Sequence, residues 1–146
     1  MERITYLSQL RVWKAAVEVS MKIFDLSTAF PREERYSLTD QIRRSSRSVA
    51  ANIAEAWRKR RYKAAFVSKL NDSESEAAET QTWIVFAIRC GYMSRENGKQ
   101  LLVEYNNILG QLVSMISKPD DWVINESEEE YRPEDPVPDE NDPWHI

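Results

Sequence analysis

The sequence predicts an all-α protein: an antiparallel up-and-down four-helix bundle over residues 1–118, followed by an acidic, proline-containing tail over residues 119–146. Three observations carry this. Only three glycines occur in 146 residues, and proline is confined to Pro31 and to positions from 119 onward, so the long stretch between has almost no helix breakers. Four segments of that stretch repeat apolar residues at three- and four-residue steps, the period of one helix face. At this length the chain is one domain's worth, enough to bury a core.

The first helix is expected over about residues 9–29, with Ser8 as its N-cap. Leu10, Trp13, Val17, Met21 and Phe24 form one apolar stripe, and Val12, Val19 and Leu26, with Ile23 adjoining, form a second on nearly the opposite side. A helix with two apolar stripes on nearly opposite sides has two neighbours to satisfy, which a lone bundle of four helices does not readily provide. Val12, Val19, Ile23 and Leu26 are therefore expected to face another subunit. Phe30-Pro31 ends this helix, and the turn PREERY leads to Ser37, which with Asp40 resembles a capping box.

The second helix, within residues 38–61, organises the rest. Leu38, Ile42, Val49, Ile53 and Ala56 share a narrow core stripe with Trp57 at its margin, while Arg43, Arg47, Arg58 and Arg61 lie opposite with Arg44 beside them. Ala50, Ala51 and Ala54 also point away from the core stripe; they would admit a close-approaching helix or subunit, or reflect only alanine's helix propensity. Arg58, Lys59, Arg60, Arg61 and Lys63 put five cations within six residues, flanked by Trp57 and Tyr62. Such a patch can neutralise phosphates, and its rings and guanidinium planes can stack on unpaired bases.

The third helix, about residues 64–90, holds its seam with Phe66, Leu70, Ser73, Ala77, Thr80, Ile84 and Ala87/Ile88, and its small middle residues predict close packing. Trp83 and Phe86 lie off that seam, which again suggests burial beyond one subunit. Gly91 reads as the left-handed cap and Ser94 as the next N-cap. The fourth helix, about residues 95–117, carries Leu101/Leu102, Tyr105, Ile108/Leu109, Leu112 and Met115/Ile116; Gly110 within it is either a close contact or a tolerated weakness. Pro119 stops the pattern. The tail beyond it is expected to be mostly disordered or extended when free, with Trp122, Ile124, Tyr131 and Trp144 as anchors that order on a partner.

Charge divides the chain. Residues 1–118 hold 19 Lys and Arg against 13 Asp and Glu, a net of +6, and residues 119–146 hold one Arg against 11 acids, a net of −10. Opposite fields on two parts of one chain imply two partners, or one part covering the other. Cys90 is the single cysteine, so no intramolecular disulfide can form, and it reads as a small buried residue rather than a nucleophile. No apolar run is long enough to span a bilayer and the N-terminus has no signal-peptide pattern, so no membrane contact and a cytoplasmic location are expected. An enzyme is not expected: nucleotide-binding glycine loops are absent, and the lone histidine, His145, lies in the tail. Glu74, Glu76 and Glu79 lack the Glu-x-x-His partners of a di-metal bundle, so neither metal nor cofactor is expected.

The segment FPREERYSLTDQIRRS, Asn52-Ile53-Ala54-Glu55 and Glu79-Thr80-Gln81, in that order, resemble the four-helix-bundle family of proteins encoded in intervening sequences of bacterial large-subunit ribosomal RNA genes, over roughly residues 10–118. The resemblance implies a homopentamer. It also implies kinship with the accessory variability determinant of diversity-generating retroelements, a basic pentamer that binds nucleic acid and a reverse transcriptase. Where many relatives have glycine after the Asn-Ile-Ala-Glu motif and then a Gly/Ser-containing corner, this chain has Ala56 and RKRRYK. Two functional readings are open. In one, Arg43, Arg44, Arg47, Arg58, Lys59, Arg60, Arg61 and Lys63, repeated around an oligomer, contact RNA or DNA phosphates. In the other, the chain is an adaptor that recruits a partner, such as a nucleic-acid enzyme, through its tail. A mechanism joining them has the tail fold back on the basic face and compete with phosphate.

Overall fold

The structure, a computed structural model, describes residues 4–124 and residue 141. Four α-helices account for most of the described chain: α1 Arg11–Ser27, α2 Leu38–Arg58, α3 Lys63–Arg89 and α4 Arg95–Ser117. Short 3-10 turns precede α1 (Leu7–Gln9), link it to α2 (Arg32–Glu34) and come after α4 (Pro119–Asp121). Each helix packs on its sequence neighbours, and α4 returns to α1, which closes the bundle. Cross-helix hydrogen bonds record the antiparallel courses. Ser20 pairs with Ser46 and Ser27 with Arg43 between α1 and α2, while Ser73 meets the Val49 carbonyl and Thr80 meets Ser45 between α3 and α2.

The core follows the expected periodicity in three helices. Leu38, Ile42, Val49, Ile53, Ala56 and Trp57 of α2 are buried, as are Phe66, Leu70, Ser73, Ala77, Thr80, Ile84 and Ala87 of α3 and Leu101, Tyr105, Ile108, Leu112 and Met115 of α4. The small residues in the middle of α3 let α2 approach closely: Thr80 Oγ1 lies 2.8 Å from Ser45 Oγ and from the Glu76 carbonyl, and Ser73 Oγ donates to the Val49 carbonyl at 2.8 Å. The buried hydroxyls of Ser45, Ser73 and Thr80 are tolerated because each of them finds such a partner. The Tyr105 hydroxyl sits beside Thr80 without meeting hydrogen-bond geometry, and burial pushes its pKa up.

In α1 both stripes reach the core at the N-terminal end, where Leu10 is buried and Trp13 half-buried against it, and only the second continues inward. Val12, Val19 and Ile23, expected at a subunit interface, are buried inside the subunit, Leu26 is half-buried against the same core, and Met21 and Phe24, which looked like core, are exposed. The reason is the α1/α2 contact, which is built from small side chains. Ala16, Ser20 and Ser27 join Val12, Val19 and Ile23 on the inward face, and the Ser20–Ser46 hydroxyl contact of 3.2 Å leaves no room there for Met or Phe.

The ends of the helices correct further expectations. Ser8 lies in the 3-10 turn, and α1 starts after Leu10 with no side-chain cap. Ser37 makes no capping hydrogen bond either. Ser94 does cap α4, accepting from the Asn97 N–H at 3.1 Å. Gly91 adopts φ +76°, and the Tyr92 N–H bonds to the Ala87 carbonyl and the Gly91 N–H to that of Ile88, a Schellman close for α3. Cys90 is exposed at this turn rather than buried. A Cβ on Gly110 would meet nothing within 4 Å, so no close contact within the subunit requires glycine there; at Gly98 it would fall 2.3 Å from Ile88 Cδ1. Trp122, expected as a free anchor, packs with Val123 against the core, and Ile124 is half-buried. Tyr131 and Trp144 lie outside the described residues.

Candidate nucleic-acid interface

The cations named from the sequence separate into two sites at opposite ends of α2, about 21 Å apart from Arg44 to Arg58 at the helical rise per residue. At the N-terminal end, Arg43, Arg44 and Arg47 line a groove of about 610 Å³ together with Arg35, Tyr36, Thr39, Asp40 and Ser48. Four guanidinium groups, three hydroxyls and one carboxylate thus border the same space. Arginine suits this position, because its planar donors pair with two phosphate oxygens at once and its face stacks on rings. Tyr36 is 84% exposed, and the Arg35 guanidinium lies 5.4 Å from its ring centroid, so cation and ring are presented together.

The groove's arginines are not equivalent. Arg43 is half-buried; its Nε donates to Ser27 Oγ at 2.8 Å and its guanidinium lies 4.8 Å from the Phe24 ring centroid, so it fastens α2 to α1. Arg44 and Arg47 are exposed. Glu76 on α3 has its pKa raised by burial and by neighbouring Glu79 and Asp72, and the positive charge of Arg44 partly offsets that rise.

At the other end, the corner between α2 and α3 is only residues 59–62 long. Arg58, Lys59, Arg61 and Lys63 are exposed, as is Tyr62. Arg60 is turned inward: its Nε donates to the Trp57 carbonyl at 2.9 Å and its guanidinium lies 3.4 Å from the Trp57 ring centroid. Trp57 itself is buried, so it supports Arg60 and is not available to stack on a base. Lys63 Nζ pairs with Asp120 at 2.9 Å, and the Ile124 N–H donates to the Arg60 carbonyl at 3.1 Å. Nearby, Lys69 pairs with Glu55 at 2.8 Å, which lowers the Glu55 pKa chiefly through that hydrogen bond.

Arg35 was missed by sequence reasoning. It comes directly after the 3-10 turn Arg32–Glu34, and only the path of that turn brings it beside Arg43, five residues into α2. The run of arginines in PREERY and QIRRSSR was a visible signal of charge, though not of a shared groove. Of the residues expected at a subunit interface, Ala50 and Ala54 are half-buried, and Trp83 is half-buried with its ring centroid 5.9 Å from that of Phe86, which is 53% exposed. Among the described residues, no group of three His, Cys, Asp or Glu could hold a metal ion, and no helix is long and apolar enough to cross a membrane.

Comparisons with known proteins agree with this architecture. A crystal structure of a protein of unknown function from the S23 ribosomal protein family of Bacteroides thetaiotaomicron is similar at a TM-score of 0.65 and 32% sequence identity, covering 72% of this chain and 97% of that one. No curated protein matches. The profile of the 23S rRNA-intervening sequence proteins matches residues 8–114, most of the chain, with its boundaries inside the bundle described above, and the chain belongs to that family.

Proposed function

We propose that this protein is a non-enzymatic, cytoplasmic, homo-oligomeric nucleic-acid-binding scaffold, a pentamer that serves as an accessory subunit of a reverse-transcriptase or RNA-processing system. The observation that carries the reading is the groove on α2, where Arg35, Arg43, Arg44 and Arg47 border one open space with Tyr36 and Ser48. Its chemistry suits phosphate oxygens, and the exposed Tyr36 ring offers a stacking platform that is tolerant of base identity. Contacts of this kind go to phosphates rather than to base edges, so binding is expected to be sequence-tolerant and salt-sensitive.

Self-association draws support from apolar side chains left on the outside. Met21 and Phe24 on α1, Val85 and Phe86 on α3, and Val103 and Val113 on α4 are exposed large hydrophobics that a second copy would cover. This set replaces the inward-facing Val12, Val19 and Ile23 as the surface through which copies would meet. The adaptor reading keeps the tail as a ligand, but with Trp122 packed on the bundle it rests on fewer free anchors.

Titration of a fluorescent RNA hairpin into the full-length protein over a salt series tests the reading, with native mass giving the stoichiometry. Affinity that falls steeply with salt and varies little among hairpin sequences is the expected result. Absence of binding at low salt would overturn it and leave the adaptor reading.

A further inference from the structure

The groove on α2 holds one residue that phosphate binding does not explain. Asp40 is exposed and borders the same space as Arg35, Arg43, Arg44 and Arg47. Four guanidinium groups share the groove with it, yet among the described residues its carboxylate takes part in no ion pair and no hydrogen bond. The first turn of α2 suits an acid, since negative charge complements the positive end of a helix. That accounts for a carboxylate at this turn. It does not remove the repulsion that a polyanion in the groove would meet there.

Asp40 stands three and four residues before Arg43 and Arg44, hence beside both on one helix face, and Arg47 and Ser48 follow one turn further on. Along about 12 Å of α2 the groove therefore presents one acceptor and then a row of donors. A carboxylate accepts hydrogen bonds and donates none, so a ligand that fits this row brings a donor to one side of its phosphate. Phosphodiesters have no such donor. The bases have several, but at positions that differ from base to base, and contacts of the groove's kind go to the backbone. The donor that every unit of an RNA chain carries is the ribose 2′-hydroxyl, on the carbon next to the one whose oxygen bears the 3′-phosphate, and DNA lacks it. We propose that Asp40 is the specificity-determining residue of the groove: it accepts a hydrogen bond from a ribose 2′-hydroxyl while Arg44 and Arg47 hold the adjoining phosphates, and so selects RNA over DNA. With RNA the carboxylate is satisfied by that bond; with DNA it only repels the chain. This role rests on the nucleic-acid reading for its ligand.

The test titrates full-length protein with fluorescent single strands of one sequence, made as RNA, as DNA and as 2′-fluoro RNA, which keeps the RNA sugar shape but cannot donate at the 2′ position. The parent should bind RNA about tenfold more tightly than either of the others, the scale of a hydrogen bond to a charged acceptor. In Asp40→Ala the ratio of RNA to DNA affinity should fall to about twofold, as RNA loses about twofold in affinity and DNA, no longer repelled, gains about threefold. Asp40→Asn keeps a carbonyl acceptor without the charge, and its preference for RNA should lie between the two. Equal affinity of the parent for RNA and 2′-fluoro RNA overturns the hydroxyl contact whatever the variants do, and leaves the nucleic-acid reading standing. A tenfold preference that survives Asp40→Ala overturns the role of Asp40 in the same way. If no strand binds at low salt, the nucleic-acid reading falls and the role of Asp40 falls with it.

Discussion

At its N-terminal end α2 meets solvent across a groove where Arg44 and Arg47 are exposed beside Arg35, and at its C-terminal end an equally basic cluster has one cation turned inward and another paired with the segment after α4. The two regions hold similar residues and differ in what surrounds them. The groove is bordered by hydroxyls and a single carboxylate, while the corner must close a four-residue turn between two long helices, and it uses Arg60 to do so. Local charge density alone would rank the corner first. With Arg60 turned inward and Lys63 paired, the corner is left with three other exposed cations, as many as the groove presents.

Affinity for RNA is the largest lever on this comparison. Replacing Arg35, Arg44 and Arg47 with Ala should weaken hairpin binding about 100-fold and lower the salt slope by about 2 to 3, one for each phosphate no longer neutralised. Replacing Arg58, Lys59 and Arg61 should cost only about tenfold, because Arg60 is turned inward and Asp120 lies against Lys63, which weakens the corner's field. Fluorescence titrations of the two triple variants, side by side, would reverse the ranking if the corner were the main contact. Both losses should be similar across RNA sequences; a loss confined to one sequence would mean base readout.

Within the groove, stability separates the fastened arginine from the free ones. Arg43→Ala removes the bond to Ser27 and the contact with Phe24, and should lower unfolding free energy by about 1 kcal/mol in a urea titration. Arg47→Ala should fall within about 0.5 kcal/mol of the parent. Equal effects would mean that Arg43 does not tie α2 to α1.

The smallest expected effect is on proton binding. Because the Glu76 pKa is raised in the folded protein, the folded state holds more protons than the unfolded one between the ordinary glutamate value and the raised one. The contribution of Glu76 to stability therefore grows as pH falls through its folded pKa and levels off below the unfolded one. Arg44→Ala removes the opposing positive charge and should raise the Glu76 pKa further, read from the carboxyl carbon shift in an NMR titration. An unmoved titration would mean that Arg44 is not close enough to act on the edge of the groove.

Much of this was legible in the sequence, for reasons that differ by element. The α3 seam from Phe66 to Ala87 could be read residue by residue, because its steps of three and four residues stay in register along a face that is buried throughout. The first helix could not be read so, because both its stripes are apolar and the choice between them depends on how near α2 comes. Ala16, Ser20 and Ser27 carry no hydrophobic signal of their own, yet they are what the close α1/α2 approach selects. Trp122 shows the same limit. In a proline- and acid-rich segment it looks like a free anchor, and only the fold brings Ile4, Leu10 and Met115 to it.

Periodicity, the rarity of glycine and the confinement of proline determined by themselves that the chain forms four helices with an acidic extension, since these follow from backbone geometry and local propensity. Tertiary structure alone decided which stripe of α1 faces inward, that Arg35 joins Arg43, Arg44 and Arg47 in one groove, and that residues 119–124 return to the corner. Those outcomes depend on distances between segments far apart in the chain. The packing of whole helices sets those distances, and no local pattern encodes them.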